Sequence, residues 1–295
     1  MSPTVRQART DDYDDVVAFV EEVWSDRDTA EYIPAVFRDW VASDGPDQRT
    51  VVAVSDGTPV GLCQGVVLSD HEAWLQGIRV DPAHRGEGHG LAMVEDLLEW
   101  AGDGGATVAR NMVFSWNDAG LGQSVTAGFE ATCSFRWASP DPREATPSLP
   151  VVDDPTVAWT YWTDSDARTA LGGLALDGEQ SWALSELTRS DLRTLADEEA
   201  VFAVTGGGTR AMACRARVTR DPGDDVRLAE YAVGAWDDRE AAAALFDAIR
   251  ADAAELGVDR TRVLIPETPT HVAEAASVRA DTSDWPTFVC TADLT

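Results

Sequence analysis

Lysine is absent from the 295-residue chain, so the 23 basic residues are all arginines, set against 52 acidic residues for a formal net charge of −29. A surface so poor in cations repels nucleic acid and anionic membranes, which excludes both as partners. The missing lysine also rules out a GK[ST] phosphate loop. No stretch approaches the ~18 consecutive apolar residues of a membrane span, and the N-terminus MSPTVRQART has no apolar signal core, so a cytoplasmic protein is expected. Cysteine is scarce: positions 63, 133, 214 and 290 form no CxxC pair and read as reduced structural thiols. His84 and His89, five apart, do not share a helix face, and His71 and His271 are remote, so no metal site is expected.

The excess of carboxylates reads as adaptation to high intracellular salt, as in a halophile, where acids keep a surface hydrated and screening removes their mutual repulsion. A surface shaped for one cationic partner is the alternative.

What is present centres on residues 78–91, IRVDPAHRGEGHGL. An apolar strand end, Ile78 and Val80, leads through Asp81 and Pro82 into a loop with Arg85, Gly86, Gly88 and Gly90. The apolar-periodic run LAMVEDLLEWA follows at once. Glycines there let successive amides turn inward and let a ligand come close, while the helix behind adds its unpaired N–H groups and the positive end of its dipole. A diphosphate fits such a cradle.

Around it, Thr4–Ala8 reads as a strand, Thr10 as a cap, and Val16, Phe19, Val20, Val23 and Trp24 recur at helical spacing. A second helix is expected over 31–42. Strands at 49–55 and 59–68 join at Asp56-Gly57, a hairpin signal, and Glu72–Val80 completes a meander. Then come a helix from Leu91 to Ala101, a strand at 106–114, a short helix at 117–127 and a strand at 129–138. Residues 139–155 hold prolines at 140, 142, 147, 150 and 155 and read as a linker. Beyond it, Trp159, Trp162 and Trp182 are expected as aromatic anchors, and Ser190 as the cap of a helix. The order strand, long helix, strand, short helix, strand of 72–138 then recurs from Val226 onward, an internal repeat. In this second copy Asp237-Asp238-Arg239-Glu240 replaces RGEGHG, and a loop of that composition cannot wrap a diphosphate.

The first half resembles the GCN5-related N-acetyltransferases, the GNAT family. Arg85, Gly88 and Gly90 occupy the three defining positions of that family's RxxGxG loop, and Asn117 and Gly128-Phe129 follow at the family's interval. A Rossmann fingerprint fits less well, because Leu91 stands where its third glycine belongs. The resemblance implies an α+β fold of two GNAT-like domains, each a mostly antiparallel mixed sheet flanked by helices. It places an acetyl-CoA-binding domain at 1–140, a proline-rich linker at 141–156 and a degenerate GNAT-like domain at 157–295.

It further implies an acetyltransferase that moves the acetyl group of acetyl-CoA to a primary amine, on a small molecule or a peptide, by direct transfer in a ternary complex. A non-catalytic acyl-CoA-binding or sensing protein is the alternative. Under the resemblance the backbone of Arg85, Gly86, Glu87, Gly88, His89, Gly90 and Leu91 holds the diphosphate, with Arg85 ordering the loop. The strand backbone at Ile78, Arg79 and Val80 holds the pantetheine arm, and the strands splay after position 80. An amide near Gly77–Arg79 polarises the thioester carbonyl. Asn117 contacts the arm or caps the short helix. Alternation puts Glu72, Trp74, Gln76, Ile78 and Val80 on one face, which makes Glu72 the candidate base. The family's acid, a tyrosine seven residues after the Asn, is Ser124 here; serine is a weak acid, so water or another group is the other proton source. Trp24 and Trp74 are candidates to line the acceptor site, and Trp40, Trp100 and Trp116 read as core.

Overall fold

The computed structural model describes residues 3–23, 31–220 and 226–295; Trp24 lies outside them. In chain order the first elements are β1 (Thr4–Gln7), α1 (Tyr13–Val23), α2 (Ile33–Ser43), β2 (Gln48–Ser55), β3 (Thr58–Val67), β4 (Glu72–Val80), α3 (His89–Asp103), β5 (Val108–Phe114), α4 (Asp118–Thr126) and β6 (Glu130–Ser139). There follow β7 (Val151–Val152), α5 (Pro155–Asp164), α6 (Asp166–Ala170), β8 (Leu174–Leu176), β9 (Leu184–Glu186), α7 (Arg189–Ala196), β10 (Val201–Thr205), β11 (Thr209–Arg220) and β12 (Arg227–Trp236). The last are α8 (Arg239–Leu256), β13 (Arg260–Pro266), α9 (Pro269–Ser277), β14 (Asp281–Thr282) and β15 (Thr287–Asp293). The mixed α/β class expected from the sequence is what the chain adopts.

The chain divides into two compact units, residues 1–113, 117–131 and 289–295 in the first, and 114–116 and 132–288 in the second. In the first unit the strands lie in the order β1-β2-β3-β4-β5-β15. The β2–β3 hairpin turns at Asp56 and Gly57, whose φ values of 49° and 88° are those an Asp-Gly pair supplies. Leu62 of β3 packs with Val16, Phe19 and Val20 of α1 and with Ile33 and Phe37 of α2. Each such fully buried side chain contributes about 2 kcal/mol of transfer free energy. α3 covers the other face: a Cβ on Gly65 of β3 would lie 2.8 Å from the Trp100 ring.

Thr10 is not a cap. It opens a 3-10 turn, and the buried Asp12 does the capping work instead, accepting from the Arg9 N–H at 2.8 Å while pairing with Arg6 at 2.7 Å.

In the second unit the order is β6-β13-β12-β11-β10-β7, with β8 and β9 as a separate pair. Tyr231 of β12, Val263 and Ile265 of β13, and Leu245, Phe246 and Ile249 of α8 form its core. Both units run a parallel pair, β4 with β5 and β12 with β13, joined through the long helix. The units differ from a cut at a linker. Residues 289–295 return to the first unit, and β6 from Thr132 onward pairs with β13 in the second.

The proline-rich stretch is structured within the second unit, where Val151 and Val152 pair with β10 and Asp154 caps α5 by accepting from Thr156 N at 2.8 Å. Prolines there suit a short edge strand and a first helical turn. α7 starts two residues earlier than a Ser190 cap would allow, because Thr188 and Asp191 form a reciprocal capping box. Of the expected anchors Trp162 is fully buried, while Trp182 stays about a third exposed, set edge-on against Trp137.

Candidate active site

β4 carries the site. It pairs with β5 only through Glu72–Trp74 against Val108–Arg110, and beyond these residues the two parallel strands separate. The opening therefore starts after Trp74, not after position 80 as the resemblance implied. From Leu75 to Val80 the edge of β4 toward β5 has no strand partner among the described residues, which leaves a backbone edge for an extended ligand arm. The Ile78 carbonyl keeps one lone pair for such an arm, since Arg79 Nη1 donates to it at 3.0 Å.

Gly77 changes which side chains share a face. Its φ is +66°, and the register with β3 slips there, from Gln64 opposite Gln76 to Leu62 opposite Arg79. Only glycine enters that conformation without strain. Partners across a ladder share a face, so Trp74, Gln76 and Arg79 look toward α1 and α2, whereas Val80, opposite Gly61, looks toward α3. The unbroken alternation read from the sequence is thus corrected: Ile78 and Val80 leave the face of Glu72, and Arg79 joins it.

The glycine loop folds as a tight turn that leads into α3. Asp81 accepts from Ala83 N at 2.8 Å and from His84 Nδ1 at 3.2 Å, folding a short turn that ends at Arg85. Gly86 and Gly88 then adopt φ of 80° and 87°. Gly88 serves as the N-cap of α3 without a side chain to accept from the helix, and the first turn of α3 carries no acid. Its N–H groups thus meet no side-chain cap among the described residues, and a helix end of this kind favours a bound anion by about 1 kcal/mol from the dipole alone. Gly90 admits the Gln123 side chain, whose Oε1 would lie 2.7 Å from a Cβ there. Arg85 is exposed and reaches the Val23 carbonyl at 3.4 Å; Glu87 is exposed beside the buried His89, 3.3 Å from its Nε2. Leu91 is half-buried in the first turn.

Glu72 does not stand free as a base. It is buried, its carboxylate paired with Arg110 of β5 and accepting from Ser69 Oγ at 3.0 Å. It also begins β4 at the end away from the glycine loop. Arg110 and Ser69 thereby occupy the oxygens of this carboxylate. Trp74, at 1% exposure, is core rather than lining. Ser124 is buried on α4, and its Oγ accepts from Asn111 Nδ2 of β5 at 3.2 Å, which leaves the hydroxyl proton to be donated elsewhere. Asn117 caps α4 by accepting from Gly120 N at 3.0 Å, the helix-capping role of the two open to it.

Several polar groups beside the opening escaped sequence reasoning. Arg79 is buried and forked onto Glu31, with Nε to Oε2 at 2.9 Å and Nη2 to Oε1 at 3.3 Å. Tyr32 lies beneath that guanidinium, 5.7 Å from its ring centroid, and burial, opposed by the Arg79 charge, pushes the phenol up to about 12, so it stays a donor. Glu31 and Arg79 are 48 positions apart, a pairing without a local sequence signal. Asn111 Oδ1 is buried without a hydrogen-bond partner.

The second unit answers the same helix end internally. Asp238 caps α8, accepting from Glu240 N at 2.9 Å and Ala241 N at 3.0 Å, and Arg210 binds both Asp238 and Glu240. A protein carboxylate sits where the first unit offers open amides. No helix among the described residues is long and apolar enough to cross a membrane.

Comparison with known proteins agrees with this geometry. Residues 5–121 match the model of the acetyltransferase (GNAT) family. A GCN5-related N-acetyltransferase from Sphaerobacter thermophilus superposes with a TM-score of 0.65 at 14% identity, over 99% of this chain and 96% of its own. A protein solved as a candidate acetyltransferase from Pyrococcus horikoshii gives 0.56 at 16% identity, covering 99% and 90%. A similar protein from Thermoplasma acidophilum gives 0.52 at 16%, covering 99% and 94%. No curated protein matches the chain. Residues 5–121 thus carry the pattern of the acetyltransferase (GNAT) family, and the whole chain shares its fold with solved proteins described as acetyltransferases.

Proposed function

We propose that the protein is an acetyl-CoA-dependent N-acetyltransferase of the cytoplasm, salt-adapted, in which the first unit binds the cofactor and the second is a degenerate copy of it. The observation that carries this reading is the contrast between two helix ends. The N-terminus of α3 is uncapped by any side chain behind Gly86 and Gly88, while Asp238 closes that of α8. Amides from Arg85 to Leu91 would hold the diphosphate, and the free edge of β4 from Leu75 to Val80 would hold the pantetheine arm. Acetyl-CoA supplies an activated thioester; the chain supplies placement of that thioester in the opening between β4 and β5 and an approach for the amine from the α1–α2 face. Direct attack by a neutral amine forms the amide bond as the carbon–sulfur bond breaks; the departing thiolate takes a proton from Ser124 or from water, and that donor is restored by the proton the amine nitrogen sheds. A second reading, an acyl-CoA binder without turnover, is favoured by the engagement of Glu72 with Arg110.

The test is a melting-temperature shift with acetyl-CoA in molar potassium chloride, followed by thiol release with a panel of primary amines. Saturation at a hundred times Kd adds about 2.7 kcal/mol of stability, a shift of several degrees. The double variant Gly88→Val, Gly90→Val is expected to lose both signals, and normal acetyl-CoA binding by it would remove the cradle assignment. A shift without thiol release selects the binder.

A further inference from the structure

A line of hydrogen-bonded polar groups, buried at its centre, crosses β2, β3 and β4 on the α1–α2 face and ends at the opening between β4 and β5. Gln76 Nε2 donates to Gln64 Oε1 at 2.8 Å, and Gln64 Nε2 donates to Thr50 Oγ1 at 3.2 Å. Thr50 Oγ1 and Thr50 N both reach Asp44 Oδ1 at 2.9 Å, and Gln7 Nε2 reaches Asp44 Oδ2 at 3.0 Å. Thr50 is fully buried and Gln64 is 1% exposed, so these groups depend on one another for satisfaction.

The direction of every bond in the line follows from Asp44. A backbone N–H can only donate, so the Asp44 oxygen it shares with the Thr50 hydroxyl is an acceptor, and the hydroxyl proton is spent there. Thr50 Oγ1 must then accept from the Gln64 amide nitrogen. Gln64 consequently turns its oxygen toward Gln76, which must answer with its nitrogen. The Gln76 oxygen is left over, and it makes no hydrogen bond among the described residues. Gln76 lies two positions beyond the last β4 residue paired with β5 and directly before the Gly77 bulge. It shares the face of Trp74 and Arg79, opposite the face that α3 covers.

On the transferase reading above, the diphosphate sits at the N-terminus of α3, so an acceptor amine reaches the thioester from the opposite side of the sheet, the α1–α2 face. We propose that Gln76 binds this amine by accepting an N–H at Oε1, and that Gln64, Thr50 and Asp44 are positioning residues that fix which end of its amide faces the opening. An acceptor oxygen there orients the amine lone pair away from Gln76 and toward the thioester carbon, whereas an inverted amide would present N–H groups to it. Polar lines of this kind hold one arrangement because reversing a single member orphans its neighbours.

The experiment uses the full chain with acetyl-CoA and, as separate acceptors, spermidine, glucosamine and an alanine-terminated peptide, measuring KM for each substrate. Loss of one neutral hydrogen bond corresponds to about a fivefold change. Gln76→Leu is expected to raise the amine KM about five- to tenfold with the acetyl-CoA KM unchanged. Asp44→Ala, which frees the Thr50 proton, is expected to raise it about threefold. Asp44→Asn, whose side-chain oxygen still accepts from Thr50, is expected to stay within twofold of the wild type. A purely structural role would lower the melting temperature of Asp44→Ala without separating the two KM values, and that result overturns the proposal. Should Gln76→Leu fail to fold, the two Asp44 variants decide: equal amine KM values in both overturn it. If acetyl-CoA binds but none of the three amines is acetylated, the transferase reading itself falls and this inference with it.

Discussion

Glu72 and Arg110 form a buried ion pair across the three-residue stretch where β4 and β5 are joined, with side chains 3% and 9% exposed. Removing one partner of such a pair leaves an uncompensated buried charge. Glu72→Gln is expected to cost about 3 kcal/mol in urea denaturation, and Glu72→Leu with Arg110→Leu to cost less than the single change. Turnover per folded molecule should persist in Glu72→Gln. A hundredfold loss of kcat in a fully folded Glu72→Gln variant would restore Glu72 as the base.

The Gly77 bulge is a second point of leverage. A Cβ there would lie 2.6 Å from Trp40 Cη2, at a φ of +66° that L side chains disfavour. Gly77→Ala combines left-handed strain of about 1 kcal/mol with overpacking of about 1–3 kcal/mol, so a loss of at least 2 kcal/mol is expected. Its ladder should also straighten, returning Ile78 to the face of Gln76. Chemical-shift mapping of β4 checks this, and an unchanged melting temperature would show that the bulge is not under the constraint described.

Stability should fall in mild acid through His271. Burial lowers its pKa below the ordinary histidine value, with the ring 4.9 Å from Trp236 and Nε2 unpartnered. The folded state favours the neutral imidazole, so the unfolded chain takes up the proton first. His271 therefore contributes its full stability above about pH 6.5, and this is lost as pH falls below that value toward the lowered folded pKa. His271→Gln should flatten the dependence of melting temperature on pH below about pH 6.5. An unaltered slope in the variant would assign the acid sensitivity elsewhere.

The glycine turn and the helix it opens were legible because their information is local: glycine spacing, a strand before it and a helix after it lie within 78–91. The meander was legible for the same reason, and β4 spans the residues assigned to it. Three things were not. The bulge at Gly77 inverts the pattern of faces, and alternation carries no mark of a slipped register unless a glycine in a strand is taken as one. Glu72 reads as a base from its face alone; what engages its carboxylate is Arg110, 38 positions on. The proline-rich stretch looked like a linker because composition cannot reveal that Val151 and Val152 have a partner in β10. In each case a contact distant in sequence decided the outcome.

The placement of β15 has a consequence for how the protein comes into being. β5 borders β15 in the first sheet, and Leu294 N donates to Thr107 O at 3.0 Å. Every residue of the second unit must leave the ribosome before that border exists. Until then β5 is an unpaired sheet edge, open to pairing with another chain. The catalytic candidate lies early in the chain, yet its sheet is finished last, so the two units share one timetable of folding although each has a core of its own.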